Sequence, residues 1–182
     1  ADTDGKIVGY EVKIVDEHGR EVPDGTDGEI WVKGPTLFLG YSHPDDKPVE
    51  RNAEGYFEMG DIGRIVLDGG ILITGRKKDI IIRGGENLSA KEIEDHLHHH
   101  DAIKEAAVVS MPHARLGETV AAYLIPSGEA RPSLQEIAAF LDARGLARQK
   151  IPEAIVFVDD FPRTTSGKIR KDVLRAMIRE AV

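Results

Sequence analysis

Residues 75–94, GRKKDIIIRGGENLSAKEIE, restrict the possible folds of this chain more than any other stretch. Gly75 and Arg76 close an apolar run, and Arg76, Lys77, Lys78 and Asp79 then set three bases and an acid side by side. Ile80, Ile81 and Ile82 read as a short apolar strand that runs into the glycine pair Gly84-Gly85. Ser89 and Glu92 form a capping box, since a serine hydroxyl and a glutamate carboxylate satisfy the exposed amides of a helix start reciprocally. A cationic strand end, a glycine turn and a capped helix suit an anionic phosphate ligand. A β-hairpin with charged edges fits the same residues. On either reading strand periodicity ends here and helix periodicity begins.

The residues before this point read as all-β. Residues 11–15 (EVKIV) and 29–33 (EIWVK) alternate polar and apolar, as half-buried strands do. Between them HGREVPDGTDG supplies turn residues, Gly34-Pro35 ends the second strand, and residues 40–55 are loop-like. Residues 64–67 and 71–74 flank Asp68-Gly69-Gly70, a hairpin signal. Downstream the pattern changes. Helices are expected from Ser89 to about His99, after a second capping box at Ser133 and Glu136, and along Ile169, Val173, Leu174, Met177 and Ile178. Strands are expected at 106–110, 120–125 and 154–158, the first two joined by the loop MPHARLGE. The fold class is therefore α+β: a small antiparallel β-subdomain over residues 1–76, then a compact α+β domain over 77–182 with a short sheet and about three helices.

Composition removes several classes of function. A net charge of −8 argues against nonspecific nucleic-acid binding, which needs a basic face. The absence of cysteine excludes disulfides, thiolate catalysis and cysteine metal sites. No apolar run approaches the ~20 residues of a membrane helix. The start, ADTDGKIVGY, has neither a basic leader nor an apolar core, so a cytoplasmic location is expected, and the missing initial Met points to a fragment.

Three local patterns could carry chemistry. PRTTSGK, residues 162–168, has the outline of a Walker phosphate loop, but Pro162 occupies the first glycine position and Ile169 the Ser/Thr position that would reach magnesium. What remains is Lys168 on a Ser-Gly turn, a mobile point charge for an oxyanion or a plain surface lysine. Asp61, in GYFEMGD, can accept hydrogen bonds from two vicinal hydroxyls, as an acid does for ribose, or can be an ordinary turn aspartate. His96, His98, His99 and His100 lack a completing carboxylate or second cluster, so no metal site is expected and a solvated helix end is. His113 and Trp31 carry no signal by spacing.

In order, GYFEMGD, GRKKDIIIRGGENLSAKEIE, IPEAIVFVDDFP and PRTTSGK resemble the C-terminal part of the acyl-CoA synthetase, peptide-synthetase adenylation domain and luciferase superfamily of adenylate-forming enzymes. The strands upstream, with Leu39-Gly40-Tyr41, fit the same resemblance, which covers essentially the whole chain. It implies that Asp61 holds the ribose of ATP or AMP, that Arg76 contacts the same ribose or the phosphate, and that Asn87 contacts the nucleotide. Lys78 would be the hinge between two half-reactions, Gly84 and Gly85 would line the path of the coenzyme A thiol arm, and Lys168 would be the lysine of the adenylation step. The implied reaction joins a carboxylic acid, fatty or otherwise apolar, to ATP and then to coenzyme A, with Mg²⁺ held by residues upstream of this chain. A carrier-protein arm in place of coenzyme A, or a non-catalytic nucleotide-binding module, are the alternatives. Met59 departs from the threonine usual before Gly60-Asp61, and the phosphate loop and acyl pocket of the missing N-terminal large domain are not in the sequence. The chain alone is therefore expected to be inactive.

Overall fold

The computed structural model describes residues 3–37 and 49–181; Leu39-Gly40-Tyr41 and most of the loop-like stretch 40–55 lie outside the described residues. The chain divides into two units, Ala1–Lys78 and Asp79–Val182.

The first unit is one antiparallel sheet. Its strands are β1 (Gly5–Lys6), β2 (Glu11–Val15), β3 (Gly28–Lys33), β4 (Phe57–Val66) and β5 (Gly70–Arg76), in the order β1-β5-β4-β3-β2. Alternation along β2 and β3 buries Ile14, Ile30 and Val32, with Val12, Ile65, Ile71 and Ile73 packed against them. After β2 the chain turns on Asp16, whose carboxylate accepts from the backbone N–H of Arg20 (2.9 Å) and His18 (2.8 Å) and from the Arg20 guanidinium. Those donors, the Arg20 amide foremost, hold its pKa down to about 2. Strand β4 starts at Phe57 and not at Arg64, so GYFEMGD lies mostly within a strand instead of on a turn. The glycines conceal this from periodicity. Gly60 has φ +69°, and the β4–β5 register slips between Ile62 and Gly63. A Cβ on Gly63 would sit 2.4 Å from Leu72 O, so only glycine lets the two strands close there.

The second unit is α+β, as expected. Its elements are β6 (Ile80–Arg83), β7 (Glu86–Ser89), α1 (Ala90–Leu97), β8 (Ile103–His113), β9 (Gly117–Pro126), α2 (Leu134–Ala143), β10 (Ala154–Phe157) and α3 (Lys171–Ala181). The β8–β9 hairpin is the centre, and β10 adds to β9 in parallel through the α2 crossover. Helices cover both faces: Ile93, Leu97, Ile137 and Leu141 on one, Leu174 and Ile178 on the other.

Several local expectations need correction. At Gly84-Gly85 the β-hairpin reading holds, and it adds a strand beyond those expected, β7, between the glycines and α1. The MPHARLGE loop is mostly strand, since β8 runs to His113 and β9 resumes at Gly117. Ile169 precedes α3 and bridges to Arg163, and Met177 faces outward. Of the two capping boxes, Ser133–Glu136 is complete. Ser89 Oγ accepts from Glu92 N–H at 3.3 Å, while the Glu92 carboxylate takes the Lys150 ammonium at 2.7 Å through both oxygens. Helix α2 ends as a Schellman motif, with Leu146 N–H on Leu141 O and Gly145 N–H on Asp142 O at φ +79° for Gly145. No helix among the described residues is long and apolar enough to cross a membrane.

Leu124 is wholly buried in β9, whereas Met177 is 45% exposed on α3. Leu124→Ala is expected to cost about 2–5 kcal/mol and Met177→Ala under about 0.5 kcal/mol, read by urea unfolding followed by circular dichroism.

Candidate functional site

Antiparallel pairing of β4 with β5 sets Asp61 directly opposite Arg76. Asp61 is 7% exposed, and its Oδ1 lies 2.8 Å from Arg76 Nε, whose guanidinium is half exposed. A carboxylate has more lone pairs than one guanidinium contact uses, so Asp61 keeps capacity for hydroxyl donors while the strand and the arginine fix its direction. Both residues belong to the first unit. Next comes a one-turn 3₁₀ helix, Lys77–Asp79, where the units divide. Lys77 Nζ reaches back 2.7 Å to Glu29 on β3, and Asp79 Oδ1 reaches forward 3.1 Å to Arg175 on α3. Lys78, between them, is exposed.

Gly84 and Gly85 form the two-residue turn of the β6–β7 hairpin, with φ +60° and +90°. Positive φ at both central positions is the requirement of a type I′ turn, which glycine meets without a Cβ penalty. A Cβ on Gly85 would have no heavy atom within 4 Å, so the turn is open on that side. Asn87 stands opposite Ile82 in the same hairpin, and both are exposed. Lys168 sits on a separate turn. There Thr164 N–H donates to Lys168 O (2.8 Å), Lys168 N–H donates to Thr164 Oγ1 (3.1 Å), and Gly167 has φ +83°. The Lys168 side chain is exposed and has no ion-pair partner among the described residues.

The structure thus joins Asp61 to Arg76 and gathers Gly84, Gly85 and Asn87 on one hairpin, with Lys168 on its own turn. Three of the histidines of 96–100 bind backbone groups around the end of α1. His98 Nε2 accepts from Ala106 N–H, His100 Nδ1 accepts from Ala102 N–H, and His99 Nδ1 meets Asp95 O. No three metal-ligating side chains converge among the described residues.

Sequence reasoning missed a charged cluster inside the second unit. Lys171 Nζ lies 2.7 Å from Glu94 and 4.0 Å from Asp79, and the Glu94 carboxylate also accepts from Val108 N–H at 2.6 Å. Burial pushes the Glu94 carboxyl up from its ordinary range, against the opposing pull of Lys171. The available signal was an acid beside the apolar stripe Ala90, Ile93, Leu97, and bases beside Leu174 and Ile178 on α3. It also missed Glu153, which burial would raise but which its bonds to Arg83 and Thr119 bring below the usual range.

The AMP-binding enzyme C-terminal domain family matches residues 92–168, and the AMP-binding enzyme family matches residues 2–42. The chain belongs to the AMP-binding enzyme superfamily and corresponds to its C-terminal portion. It is 44% identical over 95% of its length to the medium-chain fatty-acid–CoA ligase of Escherichia coli (strain K12), and covers 31% of that protein. It is 43% identical over 93% of its length to the 2,3-dihydroxybenzoate-AMP ligase of Bacillus subtilis (strain 168), and covers 32% of it. The crystal structure of ATP-bound MatB from Rhodopseudomonas palustris matches 96% of the chain at 38% identity with a TM-score of 0.86, over 35% of that protein. The chain therefore spans about a third of the length of the relatives it matches.

The turn geometry yields a test of its own. Gly85→Ala is expected to destabilise the second unit by about 1–2 kcal/mol, the cost of a Cβ at positive φ. Gly84→Asn, which restores the Asn-Gly pair such turns prefer, is expected to cost less than half as much in the same urea titration.

Proposed function

We propose that this chain is the C-terminal third of an ATP-dependent acid–CoA ligase. The observation that carries the reading is the Asp61–Arg76 pair, a buried carboxylate aimed by a half-exposed guanidinium, ending two residues before the division between the units. In this reading Asp61 accepts the two ribose hydroxyls of ATP, as a fixed carboxylate does in other nucleotide sites. Arg76 adds positive charge beside the ribose and phosphate, and Asn87 offers an amide from the exposed face of its hairpin.

The reaction has two steps. A carboxylate oxygen of the acid attacks the α-phosphorus of ATP, the bond to pyrophosphate breaks, and an acyl adenylate forms. Lys168 would bridge the acid and the α-phosphate, neutralising charge as the phosphorus becomes five-coordinate. Mg²⁺ would screen the phosphate charge in this step, held by residues upstream of this chain. The thiol of coenzyme A then gives up its proton and its sulfur attacks the acyl carbonyl, with AMP leaving. Gly84 and Gly85, exposed and lacking side chains, with open space beside Gly85, give the thiol arm close passage along backbone. A site that excludes water for the first step and admits a thiol for the second calls for a pivot, and Lys78 is the residue proposed for it. The identity to a medium-chain fatty-acid–CoA ligase supports an apolar acid and coenzyme A as acceptor.

In the full-length enzyme Lys168→Ala is expected to lower ATP–pyrophosphate exchange by about 10²–10³-fold or more, while thioester formation from supplied octanoyl adenylate and coenzyme A persists. Equal loss of both steps would refute this division of labour. The 182-residue chain by itself is expected to show no ATP–pyrophosphate exchange.

A further inference from the structure

Two adjacent glycines cannot hold their own turn, because glycine has the largest conformational freedom to lose. Strand β6 is fixed up to Arg83: it pairs with Gly117, its Nε donates to Thr119 Oγ1 at 3.3 Å, and its guanidinium meets Glu153. Ile82 N–H, one residue earlier, donates to Glu118 Oε2 at 2.9 Å. Past Arg83 the turn is tied through Gly84, whose N–H donates to Leu116 O at 2.9 Å. The Leu116 side chain also lies along Gly84, with Cδ2 3.4 Å from where a Cβ would stand. Leu116 belongs to the three-residue connection between β8 and β9, so the order of the glycine turn depends on the order of residues 114–116.

That connection is itself held by a side chain. His113, the last residue of β8, accepts at Nδ1 from Arg115 N–H (3.2 Å) and Leu116 N–H (3.1 Å). The ring thereby does what an Asn or Asp oxygen does when it closes a turn on amides two and three residues ahead. Accepting at Nδ1 leaves the ring proton on Nε2, which faces Glu153 Oε2 at 3.9 Å. One lone pair thus fixes Leu116, and Leu116 fixes Gly84.

We propose that His113 is a positioning residue for the Gly84–Gly85 turn, acting through Leu116 to keep it in the shape that admits the thiol acceptor. The role in acceptor binding rests on the ligase reading above; the latch itself rests on geometry alone. It assigns His113 to the second half-reaction and not to the first.

Amide hydrogen exchange by NMR on this chain tests the latch. His113→Ala is expected to speed exchange at Gly84 and Leu116 by about tenfold, with the amides of α2 unchanged, and His113→Asn is expected to restore protection because its oxygen can take the same two N–H groups. In the full-length enzyme His113→Ala is then expected to raise the KM for coenzyme A in thioester formation from octanoyl adenylate, to leave ATP–pyrophosphate exchange as in wild type, and to be rescued by His113→Asn. Unchanged Gly84 exchange in His113→Ala, or no recovery in His113→Asn, overturns the latch. Faster Gly84 exchange with an unchanged KM for coenzyme A overturns the positioning role. A wild-type enzyme that forms no thioester from octanoyl or benzoyl adenylate fails the ligase reading, and the acceptor role falls with it, whatever the exchange data show.

Discussion

Strand β9 is the constraint on which the second unit depends. Residues 120–125 are buried without exception, and they serve two cores in alternation. Val120, Ala122 and Leu124 pack with Ile93, Leu97, Ile137 and Leu141 beneath α1 and α2; Ala121, Tyr123 and Ile125 pack with Phe161, Leu174 and Ile178 beneath α3. A strand covered on both faces has no polar side, which is why its sequence is a continuous apolar run. Alanines at 106, 107, 121 and 122 keep both faces shallow at the centre of the hairpin. Tyr123 is the exception in size, and its hydroxyl is satisfied by donating to Leu174 O at 3.2 Å.

On one flank of that core, charges do the joining that apolar contact does elsewhere. Glu94 on α1 accepts from Val108 N–H on β8 and from Lys171 on α3, so one carboxylate ties three elements. Arg175 and Lys171 then hold Asp79, the first residue of the unit, to its last helix. Half-buried pairs of this kind add little net stability, because desolvation offsets attraction, but they penalise any arrangement that leaves one member alone. The consequence bears on the boundary. Lys77 is tied to the first unit through Glu29 and Asp79 to the second through Arg175. The residue between them, Lys78, is exposed, so the side-chain restraints stop on either side of a single residue. That arrangement suits the pivot proposed there, since torsional change confined to one residue leaves both flanking bodies intact.

Much of this was legible in the sequence, and the reasons differ by element. Strands β2 and β3 and helix α2 announced themselves because one face of each is apolar and the other wet, and because the Ser133–Glu136 box and Gly145 mark the ends of α2. The α+β class followed from the change of period near residue 79 and holds. Strand β7 was hidden because only Leu88 of its four residues is buried, leaving no alternation to count. The first half of β4 was hidden by Gly60 and Gly63, which the strand needs for its bulge and its close pairing. Of the candidate site, the Asp61–Arg76 contact could not be counted from spacing, because the register shift after Ile62 decides which residues face each other. His113 was invisible for a plainer reason: its partners are backbone amides, which every sequence has.

The side chains proposed to carry chemistry follow two contrasting designs, and Lys168 shows the first. Its backbone is closed on itself by reciprocal bonds with Thr164, by the Arg163–Ile169 bridge, and by Gly167 at positive φ. Arg163 anchors the turn to β8 through Glu105 at 2.7 Å. The ammonium group is left exposed at the end of four methylenes. A fixed base with a free tip is the economical way to deliver a point charge, because the long side chain supplies reach while the entropy of placing its root is already lost in folding. Asp61 is built the opposite way, with a short side chain, a buried carboxylate and an arginine partner at 2.8 Å. In the proposed roles an anchor has to stay where it is and a delivered charge has to travel, and Asp61 and Lys168 fall in different units.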